Sequence, residues 1–351
     1  MSDQKYRVAV VGASGLVGRE ALLILSERGH DPDRVVALAS SRSAGTQIPF
    51  GKGSLVVSEL KSDSFDDIDF VILCADSDTA RRVAPLAIER GATVIDNSSA
   101  FRMNHDVPLV IPEINGHLLE SIRSPRLVAN PNCSTIILLT AIEPIRRAFG
   151  LESIVVSTYQ AVSGAGRVGV ESLVEETRAI ASGSTAESRY FPEPCAMNVF
   201  THESPLDPET NLNGEEQKII CESRKILNDE QVQIAPTCVR VPVERAHSQS
   251  ITIRLRQSAN REDIESLLIR SSSIELWPST GQSHPTPLAS SGRDKVQVGR
   301  VRMDPLSYGH EVSLWVCGDQ LRKGAALNAI QIAEFIWMNR CGFACRSISA
   351  L

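Results

Sequence analysis

A glycine-rich turn near the start of the chain constrains the fold more than any other feature of the sequence. Residues 6–11 (YRVAVV) form a short apolar run, and residues 12–18 (GASGLVG) lead from it into a helical pattern. Gly12, Gly15 and Gly18 allow a tight turn and a close approach of the backbone to a pyrophosphate, which the N–H groups of a helix start attract. This strand–turn–helix unit predicts a dinucleotide-binding domain.

Apolar runs that are typical of buried strands alternate with helical patterns in the first third of the chain. The predicted strands cover residues 35–39, 70–74 and 92–96, and a helix is predicted near residues 79–90. Strands that alternate with helices indicate a parallel sheet covered on both faces. The first part of the chain is therefore predicted to be a Rossmann-type α/β domain.

The pattern changes after residue 132, where longer connections separate the strands and indicate a mixed sheet in a second, α+β domain. The predicted elements are helices at 134–149, 168–181 and 215–227 and strands at 154–160, 233–241, 247–256, 295–302 and 311–316. A Pro-, Ser- and Glu-rich stretch, residues 183–213, is predicted to be a long loop, and a lid, a subunit contact and a plain connection stay open for it.

A final amphipathic helix, residues 321–339, is predicted to return to the first domain. The predicted division is therefore residues 1–132 with 319–351 as the nucleotide-binding domain, and residues 133–318 as the second domain.

Charge and composition exclude several classes of function. The net charge is −6 without a basic block, which argues against nucleic acid or an acidic membrane as partner. The longest apolar run, residues 134–142, is far shorter than the roughly 20 residues that span a bilayer, and the start of the chain shows no signal pattern. A cytoplasmic protein without a membrane partner is predicted.

Cysteine spacing argues against a zinc site and against a disulfide framework, because no C-x-x-C pair occurs. No metal is therefore predicted. The eight cysteines are Cys74, Cys133, Cys195, Cys221, Cys238, Cys317, Cys341 and Cys345.

The end of the second predicted strand indicates which dinucleotide the turn accepts. An NAD enzyme usually has an acidic residue there for the ribose 2′-hydroxyl, whereas residues 39–43 read ASSRS. An arginine flanked by hydroxyl groups suits a 2′-phosphate, because a guanidinium group can bind it at two points. Arg42 thus favours NADP, although an ordinary solvated arginine would give the same sequence.

A cysteine at a predicted helix start is the candidate nucleophile. Cys133 lies in the segment PNCST directly before an apolar helix, where the helix dipole and N–H groups stabilise a thiolate. A thiolate can attack an acyl carbon or an aldehyde. His247 and Arg240 lie seven residues apart across a proline-containing turn, and a histidine can be the base for a thiol. For each of these residues alone, a structural role is the commoner explanation.

Eight segments together resemble the bacterial aspartate-semialdehyde dehydrogenases. They occur in the order GASGLVG, SSRSAG, DNSSAFR, PNCST, STYQAVSGAG, NGEEQK, CVRVPVERAHS and DQLRKGAALN. The resemblance covers nearly the whole chain, and PNCST with STYQAVSGAG is its most specific part. It implies NADPH-dependent reduction of L-aspartyl-4-phosphate to L-aspartate 4-semialdehyde with release of inorganic phosphate. The implied pathways are the biosynthesis of lysine through diaminopimelate, and of threonine, methionine and isoleucine.

The resemblance also implies roles for individual residues. Cys133 carries the acyl group as a thioester, His247 is the acid–base residue, and Gln160 orients the acyl intermediate. Arg240 and Glu215 hold the α-carboxylate and α-amino groups of the substrate. The implied phosphate-binding residues are Arg102, Asn132 and Lys218. The implied cofactor-binding residues are Gly12, Ser14, Gly15, Leu16, Val17, Ser40, Arg42, Ser43, Ser163, Gly164, Gln320 and Asn328. The second domain is implied to be catalytic and to form a homodimer, which can pair further into a tetramer.

Three alternatives compete with this interpretation. N-acetyl-glutamyl-phosphate reductase shares the architecture and the chemistry, but its cysteine segment resembles P-G-C-Y, whereas this chain has P-N-C-S. Glyceraldehyde-3-phosphate dehydrogenase also forms a cysteine thioester, but its cysteine-segment pattern is absent. A non-catalytic NADP-binding relative is expected to lack the nucleophile or the base, whereas Cys133, Gln160, Arg240 and His247 are all present.

Overall fold

A computed structural model describes residues 6–278 and 284–342 of the chain. The chain divides into two compact units: the first contains the residues up to 132 together with those from 325 onward, and the second contains residues 133–324. Residues 319–324, which the sequence analysis placed with the nucleotide-binding domain, group with the second unit.

The first unit is built on a parallel sheet. Its strands are β1 (Val8–Val11), β2 (Val35–Ala39), β5 (Ser58–Glu59), β6 (Phe70–Leu73), β7 (Thr93–Asp96) and β8 (Leu127–Ala129), and a separate antiparallel hairpin is formed by β3 (Gln47–Phe50) and β4 (Gly53–Val56). The sheet order is β5-β2-β1-β6-β7-β8, and every neighbouring pair is parallel. The predicted Rossmann-type sheet is therefore confirmed.

Helices cover both faces of this sheet. They are α1 (Leu16–Glu27), α2 (Ser77–Glu89), the short α3 (Pro112–Asn115) and the C-terminal helix (Leu327–Arg340), with 3₁₀ turns at Pro32–Arg34 and Gly116–Leu119. Val8 and Val10 of β1 pack in one apolar cluster with residues of α1 and the C-terminal helix. Ala9 and Val11 point to the opposite face and pack with residues of α2. This alternation follows from the two-residue period of a strand and explains why β1 is apolar throughout.

The prediction that the last helix is amphipathic is wrong. Between Leu327 and Ile336, every residue except Glu334 is buried. The helix lies against α1, α3, β6 and β7 within the first unit, so it has no broad solvent-facing side that would require a polar stripe. It also begins later than predicted, because a π-helical segment, Arg322–Ala326, precedes it.

The second unit contains a mixed sheet. Its strands are β9 (Ser153–Gln160), β10 (Phe200–Thr201), β11 (Gln233–Arg240), β12 (His247–Arg254), β13 (Ile274–Leu276), β14 (Val296–Met303) and β15 (Glu311–Gly318). The order is β10-β11-β9-β12-β15-β14-β13; β11 pairs with β9 and β13 with β14 in parallel, and the other pairs are antiparallel. The predicted mixed sheet is confirmed.

Helices of the second unit pack against this sheet and leave part of it exposed. They are α4 (Cys133–Phe149), α5 (Arg167–Ala181), α6 (Gly214–Leu227), α7 (Arg261–Arg270) and α8 (Pro287–Ser290), with 3₁₀ turns at Val162–Ala165 and Pro305–Ser307. In β9, Ile154 and Val156 are buried, whereas Val155 between them is 54% exposed. The strand therefore has one covered and one open face. In the described part of the chain, no helix has both the length and the apolar character needed to cross a membrane.

Candidate active site

Cys133 and His247 meet within the second unit. Cys133 is the first residue of α4 and His247 is the first residue of β12, and Cys133 Sγ lies 3.5 Å from His247 Nε2. Pro131 disfavours helical backbone at Asn130, so the helix starts only after this segment and the sulfur stands at its N-terminal end. Cys133 is half-buried and His247 is fully buried. The sequence pair therefore forms a thiol–imidazole contact at a helix start.

The backbone fixes the protonation state of His247. The Ala161 N–H group donates a hydrogen bond to His247 Nδ1 over 3.0 Å. Because a backbone N–H group can only donate, Nδ1 must carry a lone pair, and in the neutral ring the proton resides on Nε2. Burial lowers the pKa of His247 to about 3, and the nearby positive charge of Arg240 acts in the same direction. At neutral pH the ring is therefore uncharged and turns an Nε2–H group toward Cys133 Sγ.

A strained residue precedes His247 and is held by hydrogen bonds. Ala246 has φ +71° although it is not glycine, a conformation that costs free energy for a side chain with a Cβ atom. Its N–H group donates to Gln320 Oε1 over 2.8 Å. Gln320 Nε2 in turn donates to Ser163 Oγ, whose hydroxyl group donates to the carbonyl of Glu244. Gln320 and Ser163, both predicted cofactor residues, thus stabilise the turn that positions His247.

A connected polar network includes two of the predicted substrate-binding residues, Gln160 and Glu215, and one predicted phosphate-binding residue, Lys218. Thr158 Oγ1 donates to Gln160 Oε1 over 2.9 Å, which turns the amide nitrogen of Gln160 toward Glu215 Oε1 at 3.3 Å. Lys218 Nζ lies 3.0 Å from Glu215 Oε2, one helical turn further along α6. A capping box at Asn213 starts this helix, since Asn213 Oδ1 accepts from the N–H groups at the first turn. Glu215 is therefore buried at a well-defined position.

Arg240 ends β11 and is anchored to the same part of the sheet as His247. Its Nη1 donates to the carbonyl of Ala161 over 2.8 Å, and its guanidinium group stacks on Phe191, 5.3 Å from the ring centroid. Nε and Nη2 donate to the two carboxylate oxygens of Glu203 over 3.2 and 2.6 Å. Nη2 also lies 3.0 Å from His202 Nε2.

Sequence reasoning missed the segment that supplies these last partners. His202, Glu203 and Phe191 belong to residues 183–213, which carry no regular pattern apart from the adjacent ionisable pair His-Glu. The segment is not a plain loop, because β10 within it pairs with β11, opposite Arg240 and Val239. Glu176 of α5 accepts hydrogen bonds from the N–H groups of Cys195 and Ala196, which fixes the middle of the segment.

Two glycines allow close packing around the catalytic candidates. A Cβ atom added at Gly164 would lie 3.3 Å from His247 Cε1. A Cβ atom added at Gly324 would lie 3.0 Å from Cys133 Cβ, closer than two carbon atoms normally approach. Gly164 was predicted as a cofactor residue, whereas Gly324 was not singled out, because nothing local in the sequence KGAALN indicates that it faces the cysteine.

The glycine turn of the first unit fits a dinucleotide phosphate. Gly12 has φ +81°, and a Cβ atom added there would lie 2.3 Å from the carbonyl oxygen of Cys74. At Gly18, an added Cβ atom would lie 2.2 Å from the carbonyl oxygen of Gly12. Gly15 is the N-cap of α1, and no side chain caps this helix start. The backbone therefore needs glycine at Gly12 and Gly18, and the first-turn N–H groups suit an anion.

The remaining predicted cofactor residues of the first unit flank two turns. Ser14, Leu16 and Val17 line the glycine turn and the first turn of α1. After β2, Arg42 is exposed, and the Ser43 N–H group closes a turn on the carbonyl of Ser40 over 2.9 Å. This geometry leaves the Arg42 guanidinium group accessible to a phosphate.

Buried amide groups shape the backbone that leads to Cys133. Asn328 of the C-terminal helix donates to Asn130 Oδ1 over 2.7 Å and to the carbonyl of Val110 over 2.9 Å. Arg102 donates to the carbonyl of Asn130 over 2.9 Å. Arg102 and Asn132 belong to the first unit and Lys218 to the second, so a joint role of the three in phosphate binding stays a prediction.

The cysteines of the described residues are all free thiols. Burial raises the pKa of Cys74 to about 12 and that of Cys317 to about 11, which makes them poor nucleophiles. Cys345 lies outside the described residues. Within the described ranges, no group of three His, Cys, Asp or Glu side chains could hold a metal ion.

Comparison with known proteins gives matches over nearly the whole chain. The family model of the semialdehyde dehydrogenase NAD binding domain matches residues 7–122, and that of the semialdehyde dehydrogenase dimerisation domain matches residues 142–323. The aspartate-semialdehyde dehydrogenase of Prochlorococcus marinus is 42% identical over 95% of this chain and 96% of that protein. The enzyme of the same name from Bacillus subtilis is 41% identical over 93% of this chain and 96% of that protein.

A solved structure supports the same assignment. The crystal structure of aspartate semialdehyde dehydrogenase II from Vibrio cholerae complexed with ASA has a TM-score of 0.91 and 38% identity, and covers 95% of this chain and 99% of that one. The matched domains confirm the predicted oxidoreductase fold, a nicotinamide dinucleotide as the class of cofactor, and the presence of a dimerisation domain. The chain belongs to the aspartate-semialdehyde dehydrogenase family.

Proposed function

We propose that the chain reduces L-aspartyl-4-phosphate to L-aspartate 4-semialdehyde with NADPH, through a thioester on Cys133. One observation carries the proposal: the sulfur at the start of α4 lies 3.5 Å from His247 Nε2. We place the reaction in the cytoplasm, in the biosynthesis of lysine through diaminopimelate and of threonine, methionine and isoleucine.

The charges near this pair match the groups of the proposed substrate. Arg240 offers a guanidinium group for the α-carboxylate, and Glu215 offers a carboxylate for the α-ammonium group. Both residues connect to the catalytic pair through β9, because Arg240 contacts the carbonyl of Ala161 and Glu215 contacts Gln160. Lys218, whose Nζ lies 3.0 Å from Glu215 Oε2, is proposed to bind the phosphate together with Arg102 and Asn132.

The first chemical step transfers the acyl group to sulfur. The Cys133 thiolate attacks the carbonyl carbon of the acyl phosphate, a carbon–sulfur bond forms, and the carbon–oxygen bond to phosphate breaks. Inorganic phosphate leaves with the electron pair and takes up a proton. The N-terminal end of α4 stabilises both the thiolate and the negative charge that develops on the carbonyl oxygen.

The second step releases the aldehyde. When bound, NADPH supplies a hydride to the thioester carbon. The oxygen then carries a negative charge, which the Nε2–H group of His247 stabilises by a hydrogen bond. The carbon–sulfur bond breaks, and Cys133 leaves again as a thiolate. Full proton transfer by His247 would require a charged ring with a proton on Nδ1, and this proton would face the N–H group of Ala161.

Two features of the first unit support NADP as the cofactor. The glycine turn has the backbone conformation and the uncapped helix start that a pyrophosphate needs. Arg42 is exposed beside Ser40 and Ser43, a set of donors that suits a 2′-phosphate. Ser163, Gly164 and Gln320 of the second unit stay predicted contacts.

The dimerisation domain supports a homodimer, which we propose to form through the open face of the mixed sheet. Val155 is 54% exposed on that face, and Tyr159 and Trp315 form a ring pair with 5.6 Å between centroids. Sedimentation velocity should give a particle of twice the chain mass, or of four times if dimers pair; a monomer at all concentrations would refute this proposal.

Turnover and acyl transfer can be separated experimentally. In the reverse direction, L-aspartate 4-semialdehyde should reduce NADP in repeated turnovers only when phosphate is present, and absorbance measures this reaction. With NADP but without phosphate, one equivalent of NADP should be reduced and the intact enzyme should gain the mass of one acyl group. Cys133→Ala should abolish turnover and the mass gain while NADPH binding is retained, and Cys221→Ala, at an exposed cysteine, should change neither. Normal turnover of Cys133→Ala would eliminate the thioester route. Faster turnover of N-acetyl-glutamate 5-semialdehyde would favour the competing reductase.

A further inference from the structure

The carboxylate of Glu203 already accepts hydrogen bonds from Arg240, the arginine that the proposed function assigns to the substrate. We propose that Glu203 is an internal stand-in for the substrate α-carboxylate: it occupies Arg240 in the free enzyme, and the substrate binds by exchanging one carboxylate for the other. The inference rests on the proposed function, which gives Arg240 its role.

The donor geometry of Arg240 makes the two carboxylates mutually exclusive. A guanidinium group binds a carboxylate best through two parallel N–H groups. Glu203 takes the pair formed by Nε and Nη2, at 3.2 and 2.6 Å. Nη1 donates to the carbonyl of Ala161, and the other side of Nη2 faces His202 Nε2. A second parallel pair is therefore not left for the substrate while Glu203 stays in place.

Arg240 can keep its position during this exchange. Its side chain is only 2% exposed, and its contacts with the Ala161 carbonyl and the Phe191 ring do not involve Glu203. The Nε–Nη2 edge would thus remain oriented after Glu203 has left. The site needs no rearrangement of the arginine to accept the new carboxylate.

Glu203 is the mobile partner, because only its side chain has to move. The backbone on its N-terminal side is fixed by the pairing of β10 with β11 and by the N–H group of His202, which donates to the carbonyl of Cys238. The Glu203 side chain is 20% exposed, so rotation about its own bonds can bring the carboxylate to water. Burial alone would raise the pKa of Glu203, but the hydrogen bonds and the charge of Arg240 lower it, so the stand-in is ionised at neutral pH.

The exchange has two consequences for substrate selection. First, the apparent affinity for the substrate equals the intrinsic affinity multiplied by the fraction of molecules in which Glu203 has left Arg240. Second, a compound without an α-carboxylate has nothing to offer Arg240 in place of Glu203. In the free enzyme, Glu203 therefore compensates the buried positive charge of Arg240. The exchange favours ligands that carry their own carboxylate.

The test is a comparison of Glu203→Gln and Glu203→Ala with Glu209→Gln, which removes an exposed carboxylate from the same segment. For phosphate-dependent oxidation of L-aspartate 4-semialdehyde, both Glu203 variants should lower KM about threefold to tenfold with kcat little changed. Glu209→Gln should match the wild type. With 3-aminopropanal, which keeps the aldehyde and the ammonium group but lacks the carboxylate, the Glu203 variants should show no gain.

A binding measurement separates this inference from the proposed function. L-aspartate has the same α-carboxylate and α-ammonium groups as the substrate but no aldehyde that could react. Calorimetry should show tighter binding of L-aspartate to both Glu203 variants than to the wild type. A wild type that binds L-aspartate but does not reduce NADP would refute the proposed function and leave the exchange standing. Unchanged or weaker binding and an unchanged or higher KM in both Glu203 variants would overturn the exchange and make Glu203 a residue that positions Arg240.

Discussion

Replacement of His247 by asparagine tests whether the imidazole is neutral in the folded enzyme. Asparagine places Oδ1 where Nδ1 stood, so it can still accept the hydrogen bond that the Ala161 N–H group donates, but it does not titrate. The variant loses part of the buried ring, and this loss lowers the free energy of unfolding by an amount that does not depend on pH. The informative quantity is the pH dependence of the difference between wild type and variant.

The expected magnitude follows from the depressed pKa. Burial lowers the pKa of His247 from 6.5 to about 3. Below pH 6.5 the unfolded chain therefore binds a proton at this residue, whereas the folded enzyme does not. The free energy of unfolding of the wild type must therefore fall as the pH falls through this window. From about pH 7 to about pH 5 the loss at this one residue amounts to about 2 kcal/mol.

Urea unfolding at a fixed protein concentration, followed by circular dichroism at several pH values, measures this difference. The wild type should lose about 2 kcal/mol more than His247→Asn between about pH 7 and about pH 5, since other groups titrate in both proteins. His105→Asn, at an exposed position, controls for the loss of one histidine. A constant difference over this range would refute the lowered pKa of His247. A wild type that gains stability relative to His247→Asn on acidification would indicate a charged imidazole paired with the Cys133 thiolate.

Three further substitutions test other parts of the site. Arg240→Lys should raise KM for L-aspartate 4-semialdehyde about tenfold or more, because lysine loses the two-point geometry; steady-state kinetics with unchanged KM and kcat would remove Arg240 from the site. Gly324→Ala should lower kcat about tenfold or more with the fold retained, because its Cβ atom would press on Cys133 at 3.0 Å; Gly53→Ala, with 4.0 Å of clearance, is the control, and equal rates would refute the packing argument. Asn213→Ala should lower the free energy of unfolding by about 1 kcal/mol through loss of the capping box, measured by urea unfolding; Asn213→Asp should retain most of it, and equal losses in both would contradict a capping role.

Secondary structure with a strong local signal was predictable from the sequence. Strand β2 has the predicted bounds, and α4 and α5 each begin one residue before the predicted start, because apolar periodicity and turn residues define them. The hairpin of β3 and β4 and the helix α7 were not predicted. The hairpin strand Gln47–Phe50 alternates buried and exposed residues over only four positions, too few for a period to stand out. The hairpin depends on tertiary packing more than on local preference, whereas α7 carries local signals that the sequence analysis overlooked, an asparagine N-cap and an acidic first turn.

The chemistry of the site was partly predictable, and its partners were not. Cys133 and His247 were singled out because a nucleophile and a base require particular residue types. Glu203 and Gly324 were missed because their importance lies in what they face: Glu203 matters through its contact with Arg240 and Gly324 through its distance to Cys133. The sequence also suggested His247 as a base, whereas the donor at Ala161 leaves only the Nε2–H form for the neutral ring. A backbone donor of this kind leaves no trace in residue identity.

The precision of the site follows from the register of three neighbouring strands: β9 and β11 end, and β12 begins, at the same end of the sheet. Gln160 lies opposite Arg240 in the parallel pair of β9 and β11, and Tyr159 lies opposite Ser248 in the antiparallel pair of β9 and β12. Ala161, directly after β9, can therefore accept a hydrogen bond from Arg240 and donate one to His247. Because side chains alternate along a strand, a slip of one residue in β9 would replace Gln160 by Tyr159 on the covered face and break both contacts. Arg240, the proposed substrate-binding residue, and the imidazole of His247 are thus coupled through Ala161, so that the register of the sheet sets the distance between these two side chains.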